Sequence, residues 1–496
     1  MKKMTLPITG TVYLLLLFPF FLMQDECPPP PATLPDTVYV DAMNGSDVYG
    51  QRGIKESSYK TIQRGIGSTR ANDDTVLVFE GTYNENIDFG GRKIVVKSES
   101  GPEKTIIHGT GVGDVVTCEN SPGCTLQGFT ITGSENSWYK AGISANSDMT
   151  IRNNIITGNW VGIKTSNYYK PLIVNNLIHN NFVYGITAQY YSEPTIIHNT
   201  IAYNGEDGIS SYSGAGSVVN NIIFSNGKNG IFCSMPELAP EISHNDVFGN
   251  QGSNYYGCFP GEGDISSDPM FIDSGLNDFH LSNTSPCLAA AKLDVNTPDI
   301  DLEGKWRINP PYSCPDMGAY ENSDGGGDFH LTISTGAGGT TTPLPGSYGC
   351  CEGTTVDVEA FPDKYYIFLE WTGDFLLENK KNKYLNFTMD FNKSIMANFK
   401  LIHSPLNVAG QKVINRSLSQ IEYINVLIWQ PNPNNDNLEA HYIYLIEEGQ
   451  IELMAKVSAG VYEFMHRKVD KNKTYTYSVV AIIGDREGIP AYVTVK

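Results

Sequence analysis

The sequence predicts an all-β protein: a right-handed parallel β-helix solenoid followed by two small β domains. Three observations carry this expectation. Between about 126 and 250 the chain repeats as TIRNNIITGN, LIVNNLIHNN, TIIHNTIAYN, SVVNNIIFSN and EISHNDVFGN, and a Gly-Ile pair follows each of the first four. Within each repeat, Ile and Val alternate or form short runs, with no 3.6-residue stripe, which is a strand signal. Beyond a Gly-rich break at 323–328, further alternating runs read as antiparallel strands.

The repeat sets the geometry. The second residue of each polar pair falls at Asn154, Asn176, Asn199, Asn221 and Asn245, so the spacings are 22, 23, 22 and 24 residues. A period in this range marks stacked units. About 22 residues hold three strands and their corners, one turn of a solenoid rising about 4.8 Å per turn. Asparagine recurring at one corner, and again five residues later at Asn159, Asn181, Asn204, Asn226 and Asn250, suits ladders of side-chain amides. Gly142, Gly162, Gly185, Gly208 and Gly230 are expected to supply backbone freedom at the next corner.

This stretch resembles the right-handed β-helix superfamily that includes pectate lyases and related polysaccharide-active proteins. The resemblance covers 37–322 and implies the fold more strongly than any reaction. Ahead of it, Lys2, Lys3 and the apolar run Val12 to Met23 predict a signal peptide over 1–24. A stiff Pro-rich linker follows over 25–36. Ile62 and Ile66 in SYKTIQRGIGSTRA predict a short helix that caps the solenoid's open end. DPMFID, NDFHLSNTSPCLAAA and CPDMGAYE, between 257 and 322, resemble the closing segment of secreted bacterial β-helix proteins. Residues 329–400 resemble the internalin-type bacterial B-repeat, marked by Trp371-Thr372-Gly373-Asp374 and Met396-Ala397-Asn398-Phe399. Residues 401–496 are similar to a fibronectin type III sandwich, with Trp429 in its core and Tyr475 or Tyr477 near a corner position.

Composition narrows the partners. The 34 basic and 54 acidic residues leave a net charge of −20, with no basic cluster after the leader, which argues against nucleic acid and anionic membrane. No membrane-spanning segment is expected in the mature chain, and the leader places it outside the cell or on its surface. Nine cysteines in an exported chain suggest disulfides; proximity offers Cys118 with Cys124, Cys233 with Cys258 and Cys287 with Cys314, leaving adjacent Cys350 and Cys351, and Cys27. The sequence names no cofactor. Asp268, Asp278 and the acids of DVNTPDIDLEG offer oxygen ligands for Ca2+, but read more simply as turn-forming and capping acids.

The expected function is binding, with or without cleavage, of a polysaccharide or cell-surface glycan along one side of the solenoid. The rival is a structural or adhesive surface protein that uses the solenoid as a spacer. Ser144, Lys164, Thr187, Ser210 and Phe232 follow the Gly-Ile pairs and should form one row. Lys164 is its only basic member, and with Lys170 it is a candidate base or carboxylate contact for elimination. Glu206 and Asp207 are the candidate acid pair for hydrolysis, although adjacent strand residues face opposite ways. Trp138, Tyr139, Tyr168, Tyr169, Tyr190, Tyr191 and Tyr212 form a candidate sugar-stacking ridge, or else a ladder of rings packed on one another. NGEDGIS is only faintly similar to the acids of polygalacturonases, and that family's Gly-His-Gly and Arg-Ile-Lys are missing. The arginine motifs of pectate lyases and the paired aspartates of pectin esterases are not recognisable either, so no family's catalytic set transfers to this chain.

Overall fold

The computed structural model describes residues 36–70, 72–137, 140–214, 216–308, 311–323, 326–373, 379–418 and 420–496. The leader and nearly all of the Pro-rich linker, with Cys27, lie outside the described residues, as do Trp138, Tyr139 and Asp374. Three parallel sheets of nine, eight and eight strands wrap one core. One turn shows the pattern. Thr150–Arg152 lies in the first sheet, Ile155–Thr157 in the second and Val161–Thr165 in the third, and a longer loop then leads to Leu172–Val174, back in the first. Inward isoleucines stack turn upon turn: Ile151, Ile173 and Ile196 from the first sheet, Ile156, Ile178 and Ile201 from the second, Ile163, Ile186 and Ile209 from the third. Each such buried side chain contributes roughly 1.5–3 kcal/mol of transfer free energy.

Two tight corners are built alike. At the first, Asn153, Asn175, His198, Asn220 and His244 take positive φ, between 53° and 62°, and turn the chain outward. The next residue turns in: Asn154, Asn176, Asn199, Asn221 and Asn245 are buried, each Nδ2 donating to the Oδ1 of the following rung at 3.0–3.1 Å. The last rung is Asp264, whose carboxylate accepts from Asn245 and has no amide to pass on. The second corner repeats the device with Asn159, Asn181, Asn204, Asn226 and Asn250.

The recurring glycines have a different role from the expected one. None of the five has positive φ. They permit close approach instead: a methyl at Gly185 would lie 2.6 Å from the Gly208 carbonyl oxygen and 2.7 Å from Ile201 Cγ2.

The cap helix is shorter than the predicted stretch, spanning Ile62–Gly67, and buries Ile62, Gly65 and Ile66. The Glu85 carboxylate accepts from the backbone N–H groups of Ile62 and Gln63, at the helix end where donors lack partners. At the other end, the closing segment runs back along the first corner. Asn153, Asn175 and Asn220 donate to the carbonyls of Asp301, Ile300 and Lys292, so three of the five outward residues dock this returning chain.

Beyond the solenoid lie smaller sheets. Phe329–Thr335, Gly346–Cys350, Tyr366–Gly373 and Lys393–Leu401 make a four-stranded sheet, facing a three-stranded one. Trp371 is buried there, its Nε1 donating to the Asn382 carbonyl, so it is a core residue and not a sugar platform. The last sheets pair Leu406–Arg416, Ile421–Gln430 and Glu463–Arg467 on one side, and Ala440–Glu447, Gln450–Ser458, Tyr475–Ile483 and Ala491–Val495 on the other. Trp429 is in their core, and the Tyr475 hydroxyl accepts from the Asp470 N–H.

One expected disulfide is replaced by another. Cys314 bonds Cys351 and not Cys287, joining the closing segment to the next domain. Cys287 is buried elsewhere, its thiol directed at Asp246 Oδ2. The other two expected pairs meet as thiols: the Cys118 and Cys124 sulfurs are 2.9 Å apart, and Cys233 contacts Cys258.

Candidate functional site: an aromatic cleft on the third sheet

In each third-sheet strand the Ile after the glycine faces in, so the next side chain faces out. The parallel register aligns Ser144, Lys164, Thr187, Ser210 and Phe232 in one row, as the spacing predicts, and adds Tyr256. Over Lys164 and Thr187 this row is the floor of a cleft of about 340 Å³, at the small end of ligand sites. Trp160, Val183 and Tyr184 come from the corner before the strands; Gln189, Tyr190, Tyr212 and Ser213 come from the loop after them. The two groups therefore stand at opposite strand ends, as two walls.

One end of the cleft is closed. The Tyr184 and Tyr212 hydroxyls meet at 2.9 Å across the sheet, and Ser210 beneath them is fully buried although it faces outward. Burial, then the contact with Tyr212, pushes the Tyr184 hydroxyl well above its ordinary range, so it stays a neutral donor.

The candidate charged residues do not converge. Lys164 is on the floor, 16% exposed, with its Nζ 3.6 Å from Asp114 Oδ1. Asp114 is itself held by the Ala141 N–H. Lys170 lies outside the cleft, 63% exposed and paired with Glu193, whose hydrogen bond raises its pKa. Asp207 is buried and accepts from the backbone and side chain of Asn229 and from Ser210, whereas Glu206 is half-buried and faces Lys228 at 4.0 Å. The adjacent acids thus point to different partners.

The aromatic ridge divides in two. Tyr168 and Tyr191 stack at 5.3 Å, nearly parallel, so each covers one face of the other. Tyr169 donates its hydroxyl to Asn120. Phe232 and Tyr256 likewise stack at 5.3 Å. Tyr190 is different: it lines the cleft, is 63% exposed, and has no ring contact among the described residues. The acids considered for Ca2+ act in turns: Asp268 accepts from Met270, Asp294 from Asn296, Asp301 from Glu303 and Lys305, and Asp278 pairs with His280. Among the described residues the single cluster of metal-ligating types is Cys314, Asp328 and Cys351, and its two sulfurs are bonded to each other.

The family model for a right handed beta helix region matches residues 93–256, which hold all but the first strands of the three parallel sheets. The solenoid is a right-handed β-helix. The model for a divergent InlB B-repeat domain matches residues 329–403. No curated protein matches the chain. Among solved structures, the β-helix is similar to a double mutant of the periplasmic alginate epimerase AlgG, with 14% identity and a TM-score of 0.30 over 40% of this chain. The chain spans 51% of that epimerase. It is also similar to pectin methylesterase PemA from Erwinia chrysanthemi, with 11% identity and a TM-score of 0.27, covering 51% of this chain and 99% of that one. At such identities the likeness concerns the fold alone.

Sequence reasoning missed several β-helix residues that shape the cleft: Trp160, Tyr184, Gln189 and Asp114. A signal existed for one of them. Trp160 and Phe182 each follow a second-corner asparagine in successive turns, and their rings are 6.4 Å apart. Asp114 offered none, because it precedes the regular repeat.

Proposed function

We propose that this chain is a secreted or surface-associated protein whose β-helix holds a polysaccharide in the third-sheet cleft. The observation that carries the proposal is the pairing of walls: Trp160 on one side and the exposed face of Tyr190 on the other, above a polar floor of Lys164 and Thr187. Aromatic faces across a polar floor suit a sugar ring, which is apolar on its C–H face and polar at its edge. Cleavage is no part of the proposal, because Lys164, Lys170, Glu206 and Asp207 already have separate charged or polar partners. The B-repeat and the last sheet pair are read as accessory modules that space or present the β-helix. The sheet order and the Tyr475 bond support a fibronectin type III-like reading of the latter.

A second reading, a rigid spacer or adhesive rod, is favoured by the stacked outer rings Tyr168 with Tyr191 and Phe232 with Tyr256, each of which has one face taken by its neighbour. Native affinity gels containing a panel of polysaccharides separate the two. Under the binding proposal the parent chain is retarded, and Trp160→Ala or Tyr190→Ala weakens retention roughly tenfold or more, as for a central aromatic contact. Tyr168→Ala stays within about twofold. A parent chain that no polysaccharide retards leaves the spacer.

A further inference from the structure

Resting on the binding reading, we infer that the cleft takes an uncharged glycan, not a uronate chain or another polyanion. A uronate repeat brings one carboxylate per sugar, and each needs a cationic or multiply donating partner when it leaves water. Among the described residues the lining holds a single ammonium, Lys164, and Asp114 already stands 3.6 Å from it. An incoming carboxylate would have to compete with a carboxylate of this chain that is 13% exposed and anchored by the Ala141 N–H. Among the described residues no arginine lines the cleft, so they offer a carboxylate no bidentate fork.

The surroundings are unfavourable to anions as well. Near the cleft, Lys164 and Lys228 are set against Asp114, Glu206 and Asp207, two ammonium groups and three carboxylates. Glu206 and Asp207 lie close enough to Tyr184 to help hold its hydroxyl protonated. At longer range, the net charge of −20 repels polyanions at low salt.

What remains on the walls and floor is neutral, with Val161 and Val183 apolar and the other side chains aromatic or polar. Gln189, Ser213 and the tyrosine hydroxyls donate and accept, as sugar hydroxyls require, while Thr187 is buried beneath them. Gln189 Nε2 lies 3.4 Å from Thr187 Oγ1, a long bond that a ligand hydroxyl can replace. Trp160 and Tyr190 offer stacking, which needs no charge on the ligand.

The test uses the full chain in affinity gels with dextran, mixed-linkage β-glucan and galactomannan as uncharged polymers, and with polygalacturonate and alginate as polyanions. Each is run at about 0.02 M and about 0.5 M salt, which spans strong to weak screening. The expected result is retention by at least one uncharged polymer, changing less than about twofold with salt and falling roughly tenfold in Tyr190→Ala. Retention by a polyuronate alone, lost at high salt, overturns this inference and leaves the glycan-binding reading standing. Retention by an uncharged polymer that survives in Tyr190→Ala also overturns it, because the site is then elsewhere. No retention by any polymer overturns both.

Discussion

Asn199 shows how one residue type holds the β-helix together. Its Oδ1 accepts from the backbone and side chain of Asn176, and its Nδ2 donates to the carbonyls of Ile173 and Ile197 and to Asn221 Oδ1. Asn199→Ala would strand several buried groups at about 1–3 kcal/mol each, so a loss of about 3 kcal/mol or more is expected in urea unfolding. Asn199→Asp should be no rescue, because a carboxylate accepts and cannot donate; only the terminal rung, Asp264, tolerates one. Gly185→Ala is expected to cost at least about 1–3 kcal/mol in the same measurement through overpacking against the Gly208 carbonyl. The asparagines were legible in the sequence because their spacing repeats and their chemistry admits one use in a dry corner. The glycines were legible as positions but not as a cause, since close approach is a relation between turns about 22 residues apart, and positive φ is the commoner reason for glycine.

The closing segment is an element whose contacts no local pattern announces. His280, in the strand Asp278–Leu281, has Nδ1 2.6 Å from Asp278 and Nε2 3.1 Å from Glu303. Burial alone would lower its pKa, but the hydrogen bonds to the two carboxylates outweigh it and the net shift is upward. A histidine raised in the folded state adds stability that is complete below its unfolded pKa, near 6.5, and is lost as pH rises through the folded value. Thermal unfolding of the parent should therefore lose stability as pH rises from about 6.5 through that raised value. His280→Gln should flatten that part of the profile, and an unchanged slope would contradict the assignment. The loop tyrosines after the third sheet were legible, because they recur from turn to turn. Their division was not: whether a ring faces a neighbour, as Tyr168 faces Tyr191, or an open cleft, as Tyr190 does, depends on loop conformation.

Across the whole molecule the modules are tied together. The Cys314–Cys351 bond crosses the Gly-rich linker, and Ile402, Ala481 and Ile483 pack with Ile367 where the B-repeat meets the last sheets. Closing a loop of this length is worth about 3–4 kcal/mol by chain entropy, so Cys351→Ser should lower the unfolding midpoint. Non-reducing peptide mapping should recover the Cys314 and Cys351 peptides joined. The pairing was illegible because the nearest cysteine along the chain, Cys287, is drawn under the closing segment to Asp246. Module order was legible, since the Gly-rich break and the change from a 22-residue period to plain alternation are features of the sequence alone. A net charge of −20 offers a polyanion no overall long-range attraction, so glycan binding by the β-helix would have to rest on local contacts.

The binding proposal puts those contacts between Trp160 and Tyr190, and a crystal structure of the chain with a retained oligosaccharide tests it most directly. The expected result is a sugar ring lying between these two side chains over Thr187, with its hydroxyls bonded to Gln189 or Ser213. A sugar bound away from the third sheet, with the cleft empty at saturating ligand, would contradict the assignment.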